Sequence, residues 1–257
     1  MEPASERVLG AVLELAPDLG LPADRPVVLR EGSSLLVHLR PAPVVARAAL
    51  KTAAVRAGPD WYARELAVAA HLVEAGAPVV PPAADVAPGP HVRDGTPITF
   101  WRYAEPSGDP VDPEAAGRGL RICHEALADF AGPLPRLALL HEAEAVAERL
   151  GDPALHRVAR AARAEVEALD LPVQAVHGDG DLNNVIQTRD GPLWNDWEDT
   201  MLAPVAWDLA CLAHDRSPLA PAAQRAYGPA PPDLAAFVAA RTAQVDVWTA
   251  LFARLGS

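Results

Sequence analysis

Residues 175–187 read AVHGDGDLNNVIQ, and they place two carboxylates and two carboxamides between two apolar runs. The apolar runs predict short strands, so the polar residues form the loop that joins them. Asp179 and Asn184 are five positions apart in this loop. Both residue types also favour turns for conformational reasons, which is the alternative explanation for each. A carboxylate and a carboxamide this close can instead orient a hydroxyl group and bind a divalent cation.

A second acidic stretch follows in residues 189–199, which read RDGPLWNDWED. The Arg-Asp-Gly-Pro run is typical of a turn, and the apolar residues on both sides of it predict a hairpin. The hairpin has acidic residues at both ends. Mg²⁺ prefers hard oxygen ligands and takes few of them from protein. Asn184 and Asp196 can supply two such ligands from adjacent loops.

The remaining chain divides by its periodicity. Residues 4–16 predict a helix capped by Ser5, residues 26–50 predict short antiparallel strands, and residues 60–76 predict a second helix that begins at Asp60 and stops at Gly76. A strand is expected in 96–106. After Pro106 the pattern is mainly helical, up to a closing helix in the last 25 residues. The chain is therefore predicted to be α+β.

The spacing of Asp179 and Asn184, followed by Asp196 in Asp-Trp-Glu, matches the catalytic and metal loops of protein kinases. Together these motifs resemble the aminoglycoside phosphotransferase and choline kinase-like family, the small-molecule kinases of the protein-kinase-like fold. The resemblance covers nearly the whole chain, because the small sheet, the later helices and the WDLA stretch at 207–210 come in the expected order. It implies a bilobal fold with a nucleotide-binding N-terminal lobe in 1–104, which has a small antiparallel sheet and one helix. A larger helical lobe in 105–257 holds the catalytic and metal loops and the substrate site.

The resemblance also implies roles for individual residues in the second lobe. Asp179 is the catalytic base or orienting carboxylate, and Asn184 and Asp196 are Mg²⁺ ligands. His177 is structural, and Asp208 supports the catalytic loop. The alternative for Asp208 is a simple helix cap, because it directly precedes an apolar helical run.

In the first lobe, a phosphoryl-transfer site needs a cation on the nucleotide phosphates and a carboxylate to hold that cation. VVARAAL places Arg47 at the centre of a strand, and RELAVAAHL places Glu65 in the following helix, which is the order that the resemblance implies. Lys51 is the rival cation, four positions further on and on the same strand face by parity. Arg47 and Glu65 are the preferred pair, because Lys51 is at the polar end of the strand.

Two further segments are expected to contact ATP or GTP. Gly32, Ser33 and Ser34 occupy the place of the phosphate-covering loop, and their small side chains allow backbone N–H groups to approach phosphate. Residues 100–104 occupy the place of the segment that pairs with the adenine edge, with Trp101 and Tyr103 as candidates. An ordinary buried aromatic strand is the alternative for these two residues.

The chain departs from the family pattern at two positions, of which the first bears on the acceptor and the second could add another carboxylate ligand for the metal. Asp181 stands where the family often has His, and Glu198 stands where protein kinases have Gly. Like charges raise the pKa of a carboxyl group, so either a cation lies beside Asp179 and Asp181 or Asp181 points outward. Asp181, Glu198 and Asp215 are the substrate candidates, and a cationic acceptor fits them.

The resemblance favours an aminoglycoside-like acceptor with a reacting hydroxyl, and acidic residues of the later helices agree with it in charge. A macrolide or an amino-sugar is an alternative, as is choline, for which Trp207 and Trp248 could form an aromatic site. The helical acids are Glu125, Asp129, Glu142, Glu144, Asp215, Asp233 and Asp246. Each of these acids can also be a solvated helix face.

The bulk composition limits the partners. The 22 basic and 34 acidic residues give a net charge of −12, which disfavours nucleic acid and anionic membranes. No basic segment followed by an apolar leader opens the sequence, so a cytoplasmic protein is expected. Cys123 and Cys211 are predicted to be free buried thiols. Two other functions remain open: a non-catalytic nucleotide-binding kinase-like protein and, less favoured, a metallohydrolase, for which only His177 and His214 offer imidazole ligands.

Overall fold

The computed structural model describes residues 4–56, 58–87 and 89–255. The chain forms two compact units. The first unit comprises Met1–Ala70 and Val80–Glu105, and the second comprises His71–Val79 and Pro106–Ser257. This division differs from the predicted lobes chiefly in residues 71–79, which group with the second unit.

The first unit contains a five-stranded antiparallel sheet in the order β1-β2-β3-β5-β4. A helix, α1 (Ala4–Asp18), precedes the sheet, and α2 (Asp60–Glu74) begins in this unit. The five strands are β1 (Arg25–Glu31), β2 (Ser34–Arg40), β3 (Val44–Ala49), β4 (His91–Arg93) and β5 (Thr96–Arg102).

The two faces of this sheet have different environments because alternate side chains of a strand point to opposite faces. Leu35, Val37 and Leu39 of β2 pack with the buried side of α1, together with alternate residues of β3 and β5. The intervening residues point to the other face. In register, Leu36 pairs with Arg47 and Arg47 with Thr99. Arg47 therefore lies on the face opposite α1.

The second unit is mainly helical. Two of its helices begin with an aspartate cap followed by proline, because the Asp112 and Asp152 carboxylates accept backbone N–H groups of the first turn. The helices of this unit are α3 (Pro113–Leu127), α4 (Ala138–Leu150), α5 (Pro153–Ala168), α6 (Ala206–His214), α7 (Ala220–Tyr227) and α8 (Leu234–Leu255). Their core centres on the buried side chains of Trp207, Phe237 and Met201.

Two short antiparallel strand pairs in the second unit hold the polar loops. The strand β6 (Gln174–Val176) pairs with β9 (Met201–Ala203), and β7 (Val185–Thr188) pairs with β8 (Gly191–Trp194). The loop from β6 to β7 contains Asp179 and Asn184, and the segment from β8 to β9 contains Asp196.

The structure confirms the α+β class, the antiparallel sheet of 26–50, the 185–194 hairpin and the closing helix. The Ser5 cap is wrong, because α1 already includes Ala4 and Ser5 lies inside it. Three elements, β4, β9 and α7, were not predicted, and they are only three to eight residues long. Both cysteines are free and buried, as predicted. Among the described residues, no helix has the length and apolar character needed to cross a bilayer.

Candidate active site

The loop after β6 brings Asp179 and Asn184 into direct contact. The Asn184 Nδ2 group donates to the Asp179 carboxylate at 2.9 Å and to the Asp179 backbone carbonyl at 2.8 Å. Asn184 is buried, whereas 29% of the Asp179 side chain is exposed. The carboxylate is thus fixed by the amide while part of it stays open to a solute.

Close packing at Gly178 determines the path of this loop. Its φ is +89°, and an added Cβ would lie 2.0 Å from the backbone oxygen of Asp199. Only glycine fits that space and readily adopts that conformation. The Trp207 indole N–H donates to the Gly178 carbonyl oxygen at 2.7 Å, which anchors the same peptide to α6.

Asp208 of α6 holds the loop after β6 through hydrogen bonds to its backbone. Its carboxylate accepts the backbone N–H groups of His177 at 2.7 Å and Gly178 at 2.9 Å, and the Nε2 group of His124 at 2.7 Å. Asp208 is completely buried. Burial would raise its pKa, but the His124 hydrogen bond and the neighbouring positive charge outweigh burial, so the pKa is lowered. Because α6 begins at Ala206, Asp208 lies inside the first turn, and the helix-cap alternative is wrong.

His177 is fully buried. Its Nε2 group donates to the Asn195 carbonyl oxygen at 3.0 Å, and its ring packs on Trp197 with a centroid distance of 4.3 Å. These contacts tie the loop after β6 to the segment after β8.

Arg241 of α8 is the cation beside the two acids. Its NH2 group donates to the Asp179 Oδ1 atom and lies 3.6 Å from the Asp181 Oδ2 atom. The Arg241 side chain is 8% exposed. Burial would raise the pKa of Asp179, but the positive charge of Arg241 outweighs burial and lowers it. Burial and the Asp179 charge raise the pKa of Asp181 to about 7. Asp181 therefore does not point outward.

The hairpin base brings together the two candidate metal ligands. The Asn195 backbone N–H and side-chain amide both donate to the Asn184 backbone oxygen, at 3.0 and 2.8 Å. Asp196 is the next residue, with a left-handed φ of +69°. Since Asn184 Nδ2 faces Asp179, its Oδ1 atom remains for a cation. A carboxamide and a carboxylate oxygen suit Mg²⁺. The described residues contain no group of three or more His, Cys, Asp or Glu positioned to hold a metal.

In the first unit, Arg47 and Glu65 form a buried ion pair. The Arg47 NH1 atom lies 2.5 Å from the Glu65 Oε2 atom, and the side chains are 5% and 1% exposed. The Arg47 guanidinium also lies 5.7 Å from the Tyr62 ring centroid. Lys51 does not share this position. It follows the end of β3 and is exposed, so its assignment to the strand by parity is wrong.

The turn at Gly32, Ser33 and Ser34 is tighter than the sequence indicates. The Gly32 N–H donates to the Ser34 carbonyl oxygen at 3.1 Å, and the Ser33 carbonyl oxygen accepts the Lys51 N–H at 2.8 Å. The Gly32 donor is thus already used. The Ser34 Oγ atom is buried and has no hydrogen-bond partner among the described residues. Ser34 shares its sheet face with Leu36 and so with Arg47.

Trp101 near the end of β5 and Tyr103 just after it both contact other protein groups. Trp101 is buried and donates its indole N–H to the Thr99 Oγ1 atom at 2.8 Å. The Tyr103 ring stacks on His38 at 3.8 Å, and its backbone N–H donates to the Pro43 carbonyl oxygen at 2.8 Å. That N–H is therefore not available to an adenine edge.

A family model described as the phosphotransferase enzyme family matches residues 28–237, which is most of the chain. The chain belongs to this family. It is an enzyme of the small-molecule kinase class, and the resemblance noted in the sequence is confirmed. No curated protein sequence matches the chain significantly.

Solved kinase structures share the fold of this phosphotransferase. A choline/ethanolamine kinase family protein from Mesorhizobium loti matches with a TM-score of 0.65 and 21% identity, over 93% of this chain and 84% of its own. Choline kinase LicA from Streptococcus pneumoniae matches with a TM-score of 0.69 and 15% identity, over 98% of this chain and 92% of its own. A spectinomycin phosphotransferase in complex with ADP and spectinomycin matches with a TM-score of 0.64 and 12% identity, over 92% of this chain and 85% of its own. At these identities the likeness shows the protein-kinase-like fold.

Of the substrate candidates, only Asp181 lies against Asp179. Asp215 accepts the backbone N–H groups of Leu182 at 3.0 Å and Ser217 at 2.8 Å, so it anchors the loop. Glu198, the third residue of the Asp-Trp-Glu triplet, is buried.

Sequence reasoning missed three contributors to the site. Arg241 contacts Asp179, while His124 bridges Asp208 and Tyr227, with a distance of 2.8 Å from its Nδ1 atom to the Tyr227 hydroxyl. A signal for Arg241 was present, because it lies on the buried face of α8 among Phe237, Ala240 and Val247. A charged residue on an apolar helix face requires a partner.

Proposed function

We propose that this phosphotransferase moves the γ-phosphoryl group of ATP or GTP to a hydroxyl of a small molecule, with Asp179 as the catalytic base. The observation that carries the proposal is the contact of Asp179 with Asn184. The amide nitrogen of Asn184 fixes the carboxylate, and its amide oxygen is left for a cation, within one side chain of the base. A base and a metal ligand in one loop are what phosphoryl transfer needs.

In the proposed reaction, the acceptor hydroxyl donates its proton to Asp179 as its oxygen bonds to the γ-phosphorus. The bond from phosphorus to the β,γ-bridging oxygen breaks, and the nucleoside diphosphate leaves. Arg241 supports this role by favouring the charged, proton-accepting form of Asp179. Asn184 and Asp196 would hold Mg²⁺, which when bound neutralises charge on the phosphates.

In the first unit, Arg47 would contact the nucleotide phosphates, with Glu65 holding it in place. The unpartnered Ser34 hydroxyl on the same sheet face supports a polar ligand there, because a buried hydroxyl without a partner is costly. Gly32, Ser33, Trp101 and Tyr103 stay proposed nucleotide contacts, although their backbone and ring groups already have the protein partners given above.

The acceptor is proposed to be a small alcohol of the kinds that related kinases use, with an aminoglycoside-like compound as the candidate from the sequence. Choline has weaker support. Trp207 is completely buried and donates to Gly178, so it cannot line an aromatic site for a quaternary ammonium group. The non-catalytic alternative is disfavoured because Asp179, Asn184 and Asp196 are all present.

A thermal-shift titration with ATP and GTP, each with and without Mg²⁺, tests the proposal. Stabilisation should depend on Mg²⁺ and reach about 2.7 kcal/mol at a nucleotide concentration near 100 times Kd. Asp196→Asn should remove most of the Mg²⁺ dependence. No response of the wild type at millimolar nucleotide would contradict the proposal.

The same titration decides between the two candidate cations. Arg47→Met should weaken nucleotide binding by about tenfold, because it removes a charge-assisted contact to phosphate. Lys51→Met is the matched control and should change little, since Lys51 lies beyond the strand and is exposed. A larger effect at Lys51 than at Arg47 would move the phosphate contact to Lys51.

A further inference from the structure

The acids of the catalytic loop already have a counter-ion within the protein. Arg241 donates to the Asp179 carboxylate and lies 3.6 Å from the Asp181 carboxylate. Asp181 differs from the family pattern, so on sequence grounds its charge pointed to a cationic acceptor. The position that such a cation would occupy between the two acids is filled by the guanidinium group.

This arginine is held firmly in that position. Its NH1 group donates to the Gln244 Oε1 atom at 2.8 Å, one helical turn further along α8. The surrounding side chains Ala240, Ala243 and Val247 are buried. The Arg241 side chain itself is 8% exposed and is hydrogen-bonded to both Gln244 and Asp179. Arg241 is thus a fixed part of the site.

Asp215, which follows α6, uses both carboxylate oxygens to hold the protein backbone. Both oxygens of Asp215 accept backbone N–H groups. His214, at the end of α6, has a lowered pKa because of burial and the positive charges of Arg241 and Arg216. Arg241 therefore acts electrostatically on His214 as well as on the two acids.

We propose that Arg241 is a specificity-determining residue: it occupies the position beside Asp179 and Asp181 that a cation would take, so the acceptor carries no ammonium group beside its reacting hydroxyl. A second cation there would be repelled by the guanidinium group and would have to leave water without gaining an unpaired acid. This inference rests on the proposed function, because it concerns the acceptor of the same site. It narrows the aminoglycoside-like candidates to compounds whose reacting hydroxyl has uncharged neighbours.

The test is calorimetric titration of the full chain with spermidine as a cationic probe, at physiological ionic strength and without nucleotide. Arg241→Met should bind spermidine about tenfold more tightly than the wild type, because it uncovers two partly buried carboxylates. Arg241→Met with Asp181→Asn should lose most of that gain. Arg157→Met removes the same charge from an exposed position of α5 and should bind like the wild type.

Equal spermidine affinity in the wild type and the Arg241 variant would overturn the inference, as would a gain that survives Asp181→Asn. If Arg241→Met does not fold, Arg241→Gln serves instead, since it keeps a hydrogen-bond donor and loses only the charge. Arg241→Lys retains the charge and should keep the spermidine affinity of the wild type.

The outcome is separate from that of the proposed function. Spermidine titration contains no nucleotide, so it reports the charge of the loop even if phosphoryl transfer is not the reaction. The nucleotide titration contains no acceptor, so it tests the kinase proposal even if the role of Arg241 is wrong.

Discussion

The two units each contain a buried arginine bound to carboxylate, and the two arrangements differ in how far the carboxylates are exposed. In the first unit Arg47 pairs with Glu65, and both side chains are almost completely buried. In the second unit Arg241 contacts Asp179 and Asp181, whose side chains are 29% and 16% exposed. The first pair is closed to solvent, whereas the second is open, because a solute can reach the Asp179 carboxylate.

This difference agrees with the proposed roles, in which Arg47 binds and Asp179 reacts. A buried pair keeps Arg47 in one geometry, which suits a fixed contact to phosphate. A partly exposed carboxylate is able to exchange a proton. Asp179 has a lowered pKa beside Arg241, while the pKa of Asp181 is raised to about 7 by burial and by Asp179.

The largest expected effect on stability is at the closed pair. Glu65→Ala leaves the Arg47 charge buried without its carboxylate and should cost about 3–5 kcal/mol in the free energy of unfolding, measured by urea denaturation. Glu74→Ala, at an exposed position of the same helix, should stay within about 0.5 kcal/mol of the wild type. A loss at Glu65 no larger than that of the control would show that the pair contributes nothing to the fold.

A smaller loss is expected at the open arrangement. Arg241→Met should cost about 2–3 kcal/mol, because it removes a charge-assisted hydrogen bond to Asp179. The acids can adapt, since Asp179 is partly exposed and Asp181 can take up a proton near neutral pH. Adding Asp181→Asn should recover part of the loss in the same denaturation series. A cost above that of Glu65→Ala would reverse the comparison.

The smallest effect concerns pH. The pKa of Asp181 is about 7 in the folded chain, above the ordinary value of 3.8, so its contribution to stability is complete below pH 3.8 and is lost as the pH rises toward 7. The variant Asp181→Asn lacks this loss. Relative to the wild type, its free energy of unfolding, measured by urea denaturation at each pH, should rise by about 2 kcal/mol between pH 5 and pH 8. Asp190→Asn, in the exposed hairpin turn, should show no such gain. A wild-type profile parallel to that of Asp181→Asn would contradict the prediction.

The sequence predicted those parts of the site whose residues are close together in the chain. Asp179 and Asn184 lie in one loop, and the hairpin fixes the distance to Asp196, so spacing alone relates them. Arg47 and Glu65 are 18 positions apart on consecutive elements, and their order in the family was enough to pair them.

Contacts that depend on the packing of distant helices were not predictable in the same way. Arg241 meets Asp179 across 62 positions, and His124 meets Asp208 across 84. No local pattern determines how α3, α6 and α8 pack against one another. The only local indication of the contact with Asp179 was a charged residue, Arg241, on the apolar face of α8. The Lys51 misassignment has a similar origin, because parity cannot tell where a strand ends.

The most direct test of the central claim is phosphate transfer itself. Wild-type chain with Mg²⁺ and ATP or GTP would be assayed for nucleoside diphosphate release across a panel of small alcohols, including aminoglycosides, amino-sugars, macrolides and choline. We expect at least one acceptor, and a loss of about 10²–10⁴-fold in turnover for Asp179→Asn with its circular dichroism unchanged. An Asp179→Asn variant that turns over the acceptor at close to the wild-type rate would contradict the assignment of the base and, with it, the proposed mechanism.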